Sequence, residues 1–550
     1  MKRLPLAMAI MASLTATSAM AFSSIPQPVE HKKSVGSMGA NGWASAEESV
    51  TGGAGATADR IYTVTNRKQL IEALYGSQDA NINADPSNEK KVIYIKGKID
   101  LSANQKGNKS MTAEDFMAQC EQYGYNDYDT FYQAYRNEFN PHTWNKQSLA
   151  SNGRPPAVSG PLEDARDCYQ KAQAAYTVLR VGSNTSILGL GNNAELSFGT
   201  LLLGKNGEEP VSNIVIRNIE FKDAFDFFPS WSPTDSFKID KNEFGVGNCS
   251  DAYVSDEVNP AACESIEGGR WNSEYDLISV DNAHRVWIDH NTFSDGKRTD
   301  DKYPPVFAAP YNAKEQKVQH HDGLVDVTNG ATQVTMSYNH FKNHDKTNLL
   351  GGSDTTNAER SYGPGSIDVT FHHNYWQDTG QRMPRVRFGR VHVYNNFFQL
   401  DANSDPAPTY RMGDAIILGT ASKIVAENNS FEIKGEDFAK KIIGFSSSQS
   451  NRTKCENTQR YEVGACATYF YAQGNLVNGE DMDLNEIAQT RATSSSSNSP
   501  LTILSPNSDS EFWLPRYSYD YQLQPAQQVK NEVVRHAGSG KLKFNPHHAK

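Results

Sequence analysis

Cysteine is scarce in this chain: 6 in 550 residues, and no two are spaced as CxxC. Without that spacing a cysteine-rich zinc finger or ribbon is excluded. HExxH is absent, which removes the helical zinc-protease signature, and GxSxG is absent, which removes the serine nucleophile elbow. Beyond residue 21 no run is long and apolar enough to cross a bilayer. Positive charge is in deficit, with 53 Lys and Arg against 64 Asp and Glu, for a formal net charge of -11. Without a nucleic-acid motif, that balance argues against a nucleic-acid partner. Hydrophobic residues reach only 37% while Gly, Asn, Ser and Tyr are plentiful, a composition that suits an all-β repeat protein better than a helix-rich fold.

What is present begins at the N-terminus. MKRLPLAMAIMASLTATSAMA has a basic start at Lys2 and Arg3, an apolar run, and the small-x-small triplet Ala19-Met20-Ala21. It reads as a signal peptide over 1–21, removed after Ala21, so the mature chain is secreted, to the medium or the periplasm. Losing Lys2 and Arg3 takes the net charge to -13. In an exported protein an even number of cysteines points to disulfides. Short separations favour Cys249–Cys263 and Cys455–Cys466, which leaves Cys120 with Cys168. Residues 22–58, rich in Ser, Gly and Ala, read as a flexible or extended lead-in.

Order is expected from about residue 59: a strand at IYTV, a short helix over 67–75, then the strand VIYIKGKI. Two stretches interrupt it. Residues 103–175 carry helical spacing with many aromatics and acids, and 223–270 carries FDFFPSWSP with Cys249 and Cys263. The polar RATSSSSNSP (491–500) reads as a loop, and the tail after it as a short helix packed back on the body.

Between these stretches one unit recurs: a β-branched strand, then Asn, then an aromatic. It appears as IVIRNIEF (214–221), VWIDHNTF (286–293), VTMSYNHF (334–341), VTFHHNYW (369–376), VHVYNNFF (391–398) and IVAENNSF (424–431). Asn374 to Asn396 is 22 residues and Asn339 to Asn374 is 35, a short base period with insertions. Such a period predicts a solenoid, and short strands with sharp Asn and Gly corners predict a right-handed parallel β-helix. Repeated Asn at one corner can form an amide ladder. The fold class expected is all-β, a single β-helix over 59–550 with long loop insertions and a few short helices. An antiparallel sandwich is the alternative.

Two side-chain sets carry chemistry. EYD puts Glu274 and Asp276 on one side of a strand, and DGLVD puts Asp322 and Asp326 four apart. Carboxylates without cysteine partners suit a hard cation such as Ca²⁺, although scattered surface acids give the same pattern. The basic set is Lys346, Arg382, Arg385 and Arg387, the last three within QRMPRVRFG around Pro384. Alternation places Arg385 and Arg387 on one side, and Pro384 disturbs the strand start. His320-His321 and His372-His373 read as structural.

WIDH, the DxxxD pair, the lysine of HDK and RxPxxR occur here in the order in which the pectate lyases of polysaccharide lyase family 1 carry them. From roughly Ile61 to the tail, and most closely from Trp271 to Phe398, the chain resembles that family. The resemblance implies a parallel β-helix that cleaves polygalacturonate by Ca²⁺-dependent β-elimination, with no nucleic-acid or membrane partner, acting as a monomer. It implies Asp276, Asp322 and Asp326 as Ca²⁺ ligands, with Glu274 as an additional one. Arg382 matches the base position, Lys346 and Arg387 match substrate contacts, and Arg385 supports them. Asp289 and His290 look structural by the same comparison, and Trp287 is expected in the core. Pectin lyase, acting on methyl-esterified substrate without Ca²⁺, is the nearest alternative. A polygalacturonase using Asp300 and Asp301, and a non-catalytic β-helix that binds polysaccharide, are the others.

Overall fold

Three strands separated by tight corners make each turn of the molecule. One turn runs Val325–Thr328, Thr332–Ser337 and His340–Lys342; the next runs Leu349–Leu350, Ile367–His372 and Tyr375–Gln377. Successive turns pair in parallel, with Val327 beside Leu350, Val334 beside Val369, and Phe341 beside Trp376. We call the three stacks faces A, B and C in that order. The computed structural model describes residues 39–76, 84–144, 156–233, 238–239, 266–267, 269–307, 311, 317–354, 367–403, 410–457, 466–495, 499–505 and 513–544. The expected signal peptide and the Cys249–Cys263 pair lie outside these residues. The architecture is a right-handed parallel β-helix, and the antiparallel sandwich is set aside because the ladders of all three faces are parallel.

Period-2 alternation drives each face B strand to bury one side. Val286, Ile288, Val334, Met336, Val369, Phe371, Val391 and Val393 all point into one continuous core. At the B-to-C corner the residue ahead of the asparagine takes positive φ: His290, Tyr338, His373, Asn395 and Asn428. The asparagine then turns inward. Asn291, Asn339, Asn374, Asn396, Asn429 and Asn475 form the amide ladder, in which Nδ2 and the backbone N–H of each of the first five donate to the Oδ1 of the next asparagine at 2.9–3.2 Å. Asn218 is a correction: it occupies the positive-φ corner, and Ile219 takes the ladder position, its N–H donating to Asn291 Oδ1. Behind the ladder runs a ring stack, Phe221, Phe293, Phe341, Trp376, Phe398 and Phe431, with centroids 4.3–5.2 Å apart.

The first insertion folds as helices Ala113–Met117, Tyr128–Glu138, Pro141–Trp144 and Pro161–Thr177 around an aromatic cluster that it shares with Phe228, Trp231, Trp271 and Phe307. Cys120–Cys168 closes it, and Cys455–Cys466 closes a second loop, both as the spacing suggested. Three expectations are adjusted. Residues 39–58, the described part of the lead-in, form turns and a 3₁₀ segment at Trp43–Ser45 packed across face B, where Trp43 N and Ala44 N donate to Thr370 and Thr335 hydroxyls. Trp287 is buried, but on the outer side of face B, beneath that lead-in and beside Val215, Tyr94 and Leu542. Arg491–Ser494, expected in a loop, close the helix Leu484–Ser494, which Asp483 caps at its N-terminus. The tail helix Ala526–His536 packs Val529 and Val533 against Tyr338 and Phe397, as expected.

Candidate active site

Glu274, Asp276 and Asp322 come from the segments leading into two neighbouring face A strands, Ile278–Asp281 and Val325–Thr328, and Asp326 lies on the second strand itself. Glu274 and Asp276 do not lie on a strand; they sit in the lead-in between Arg270–Asn272 and Ile278–Asp281. The alternation survives, since buried Tyr275 separates exposed Glu274 from half-buried Asp276 and anchors its hydroxyl on the Gln170 carbonyl at 2.9 Å. Asp276 Oδ1 accepts from Gly323 N (2.8 Å) and its Oδ2 from Ser279 Oγ (2.7 Å). Asp326 Oδ1 accepts from Leu349 N at 2.9 Å. Gly323 shows how closely the acids converge: a Cβ there would lie 2.7 Å from Asp276 Oδ1 and would also strike the Asp326 carboxylate.

Their electrostatics follow from that crowding. Burial, and then the Asp322 charge, push the Asp276 carboxyl up to about 7. Asp326 is raised well above the carboxylate range by burial and by both neighbouring aspartates. Asp322 goes the other way: burial opposes ionisation, but Lys346 and then Arg382 outweigh it and hold the carboxyl low. Lys346 Nζ reaches Asp322 Oδ1 at 2.8 Å. A cluster of buried and half-buried carboxylates offering only oxygen, with a glycine-wide gap between two of them, fits a hard cation in donor type and in charge.

The basic set comes from the next two turns, Lys346 ahead of Leu349–Leu350 and the three arginines around Arg385–Val386. Lys346 bridges to Gln381, and Arg385 pairs with Leu349 in register. Arg382 sits at φ 63°, ahead of the cis Met383–Pro384 bond. Its carbonyl accepts from Thr347 Oγ1 (2.6 Å) and Asn348 N (2.9 Å), which fixes the backbone, while its buried Nε has no hydrogen-bond partner. Arg382 therefore faces Asp322 and Asp326 with donor capacity in hand. Arg387 is deeper: Nη1 donates to the Gly351 carbonyl at 2.9 Å and Nε lies 3.1 Å from Asp354. The strand there is only Arg385–Val386, so the expected shared side of Arg385 and Arg387 rests on two residues of ladder.

Sequence reasoning missed the layer behind Lys346. His344 Nδ1 meets Asp295 Oδ1 at 2.6 Å, and its Nε2 meets the Lys346 carbonyl at 3.0 Å, fixing the lysine backbone. His344 lies in the HDK motif and Asp295 just past VWIDHNTF, but their partnership spans 49 residues. His320, His321, His372 and His373 are all buried. Asp289 is structural: it accepts from Arg217 Nε (2.7 Å) and Ser337 Oγ (2.6 Å) and contacts His290 Nδ1 at 2.7 Å.

A family model described as Pectate lyase matches residues 251–542, which include every one of these side chains except Arg217. The chain belongs to the pectate lyase family. A curated pectate lyase of Bacillus subtilis (strain 168) is 33% identical over 547 residues, covering 98% of this chain and 100% of the relative. The solved pectate lyase of Acidovorax avenae subsp citrulli superposes with a TM-score of 0.76 at 34% identity, covering 98% of this chain and 100% of that one. A pectate lyase solved with a bound hexasaccharide gives a TM-score of 0.66 at 31% identity, covering 92% and 98%. This pectate lyase is thus a polysaccharide lyase on a parallel β-helix. No helix among its described residues is long and apolar enough to cross a membrane.

Proposed function

We propose that this pectate lyase cleaves de-esterified α-1,4-polygalacturonate by Ca²⁺-dependent β-elimination, releasing 4,5-unsaturated oligogalacturonides. The observation that carries the reading is the convergence of buried Asp326 with half-buried Asp276 and Asp322, facing Lys346 and Arg382 of the following turns. Asp276, Asp322 and Asp326 would hold Ca²⁺, with Glu274 as a further ligand. Bound there, the ion supplies positive charge that neutralises a substrate carboxylate and acidifies the proton on the adjacent C5. We also read the protein as secreted after removal of residues 1–21, as monomeric, and as one catalytic domain with two inserted excursions.

Lys346 adds positive charge where the enediolate develops, and burial strengthens that interaction. Arg387 can grip a uronate carboxylate in fork geometry once the substrate takes the place of Asp354. Arg382 is placed to take the C5 proton. The electron pair released forms the C4–C5 double bond, the C4–O bond breaks, and the departing oxygen is protonated. No water is consumed. A guanidinium is a very weak base near neutral pH, so the proton leaves either to neutral Arg382 or to hydroxide that Arg382 orients. Both routes make activity rise toward alkaline pH. Arg382→Lys should lower the rate by roughly 10²–10⁴-fold across that range; near-wild-type rates in the variant would remove Arg382 from the reaction.

Methyl-ester substrate is disfavoured because an uncharged ester gains nothing from a cation held at Asp276, Asp322 and Asp326. Asp300 and Asp301, the pair a hydrolase would use, sit on a single 3₁₀ turn, with Asp300 buried and paired to Lys317.

A further inference from the structure

We infer that Asp295, Asp300 and His321 form a second cation site, chemically unlike the one at Asp276, for a borderline divalent ion of the zinc or manganese type. One ligand atom from each of the three lies within 4.8 Å of the others. All are buried, at 1%, 4% and 4% exposure. The three residues come from distant parts of one turn: Asp295 follows the face C strand Thr292–Ser294, Asp300 opens the 3₁₀ turn Asp300–Lys302, and His321 precedes Asp322.

The argument turns on the His321 imidazole. Its Nε2 lies 3.0 Å from Asp223 Oδ1, and Arg298 Nε grips both Asp223 oxygens at 2.9 and 3.0 Å, so Asp223 is an acceptor. Nε2 is thus engaged by Asp223, which leaves Nδ1 as the ring atom turned toward the other two residues. That Nδ1 is buried, has no hydrogen-bond partner, and faces Asp295 Oδ1 at 3.9 Å. A buried ring nitrogen without a partner, set beside carboxylate oxygens at more than hydrogen-bond distance, leaves room for a cation that both can bind.

The surroundings are those of a prepared site. A ligating imidazole whose other nitrogen donates to a carboxylate is the general arrangement for holding a metal. Asp295 is oriented by His344 Nδ1 on Oδ1 and by Tyr410 Oη on Oδ2 (3.2 Å). Asp300 Oδ2 is held by Lys317 Nζ at 2.9 Å, and Lys317 also lies 3.9 Å from Asp345. The charges meeting here are Asp223, Asp295, Asp300 and Asp345 against Lys317, Arg298 and His344, whose two ring nitrogens both meet acceptors, leaving one net negative charge for an ion. One imidazole nitrogen and two carboxylate oxygens suit Zn²⁺ or Mn²⁺, whereas Ca²⁺ takes oxygen alone. Since His321 adjoins Asp322, and His344 holds the Lys346 carbonyl, an ion here braces the backbone under both.

The test is a Zn²⁺ titration of the full-length, chelator-stripped protein by calorimetry, with Ca²⁺ kept saturating so that the first site is filled. Wild type should bind a single equivalent, with a matching rise in Tm. Asp300→Asn and His321→Gln should each weaken binding by at least about 10-fold. Zinc-edge absorption spectroscopy of the wild-type complex should report an imidazole ligand with oxygen neighbours, and it decides the matter if the variants do not fold. No binding in the presence of Ca²⁺, an all-oxygen shell, or equal affinity in folded variants would each overturn the site.

Discussion

At the residue scale, burial decides which groups respond to pH. His340 sits on Tyr375 with ring centroids 4.5 Å apart, bonds Gln377 at 2.9 Å, and is pushed down to about 4, chiefly by burial. In the unfolded chain it titrates near the ordinary value of about 6.5. Between those two values the unfolded state binds the proton and the folded state does not, so stability contributed by neutral His340 is full above about pH 6.5 and falls as the solution is acidified. His340→Gln should therefore lose less stability than wild type between pH 6.5 and 4, by up to about 3 kcal/mol. Parallel pH–stability curves for the two proteins in denaturant titrations would contradict this. The acids of the active site were legible in the sequence as residue types at telling spacings. What a residue list could not give was their inequality: Asp322 is held ionised by Lys346, while Asp276 and Asp326 are crowded upward.

At the element scale, the corner asparagines carry the repeat. Asn374 Oδ1 accepts from the Asn339 backbone and side chain, and its Nδ2 donates to the Met336 carbonyl and to Asn396 Oδ1. Asn374→Ala orphans two buried donors on Asn339, and each costs about 1–3 kcal/mol. The expected loss is roughly 2–6 kcal/mol, read from urea unfolding; a change under about 0.5 kcal/mol would show the ladder to be passive. This element was readable because one residue type marks each corner at a recurring interval. The register slip at Asn218 was not, because a corner position and a ladder position are adjacent and asparagine suits both. The helix Leu484–Ser494 was hidden by the serine run after it, whereas Asp483 supplies a local cap that the polar composition obscured.

Over the whole molecule, the two ends of the described chain meet on face B. Trp43 stacks on Trp513 at 5.7 Å and meets Tyr519 edge-on at 5.6 Å, with Arg390 over its ring at 4.7 Å. Nothing in a local window predicts this, since the partners are hundreds of residues apart, and a Gly- and Ser-rich lead-in gives no periodic signal. Trp43→Ala should cost about 3–5 kcal/mol and leave the active-site face intact, so Tm falls while activity well below Tm persists. Loss of activity in step with folded Trp43→Ala would link face B to the site instead. The parallel ladders, by contrast, follow from the repeat itself, and they bring Asp276, Asp322, Lys346 and Arg382 from four segments of sequence onto one edge.

The account stands most directly on a single assay: polygalacturonate incubated with the enzyme, with Ca²⁺ and with excess EDTA, following ultraviolet absorbance of the unsaturated uronide together with product length. It predicts unsaturated oligomers with Ca²⁺ and none after full chelation, restored when Ca²⁺ is returned. Chain cleavage without unsaturation, or unsaturation that survives chelation, would contradict it.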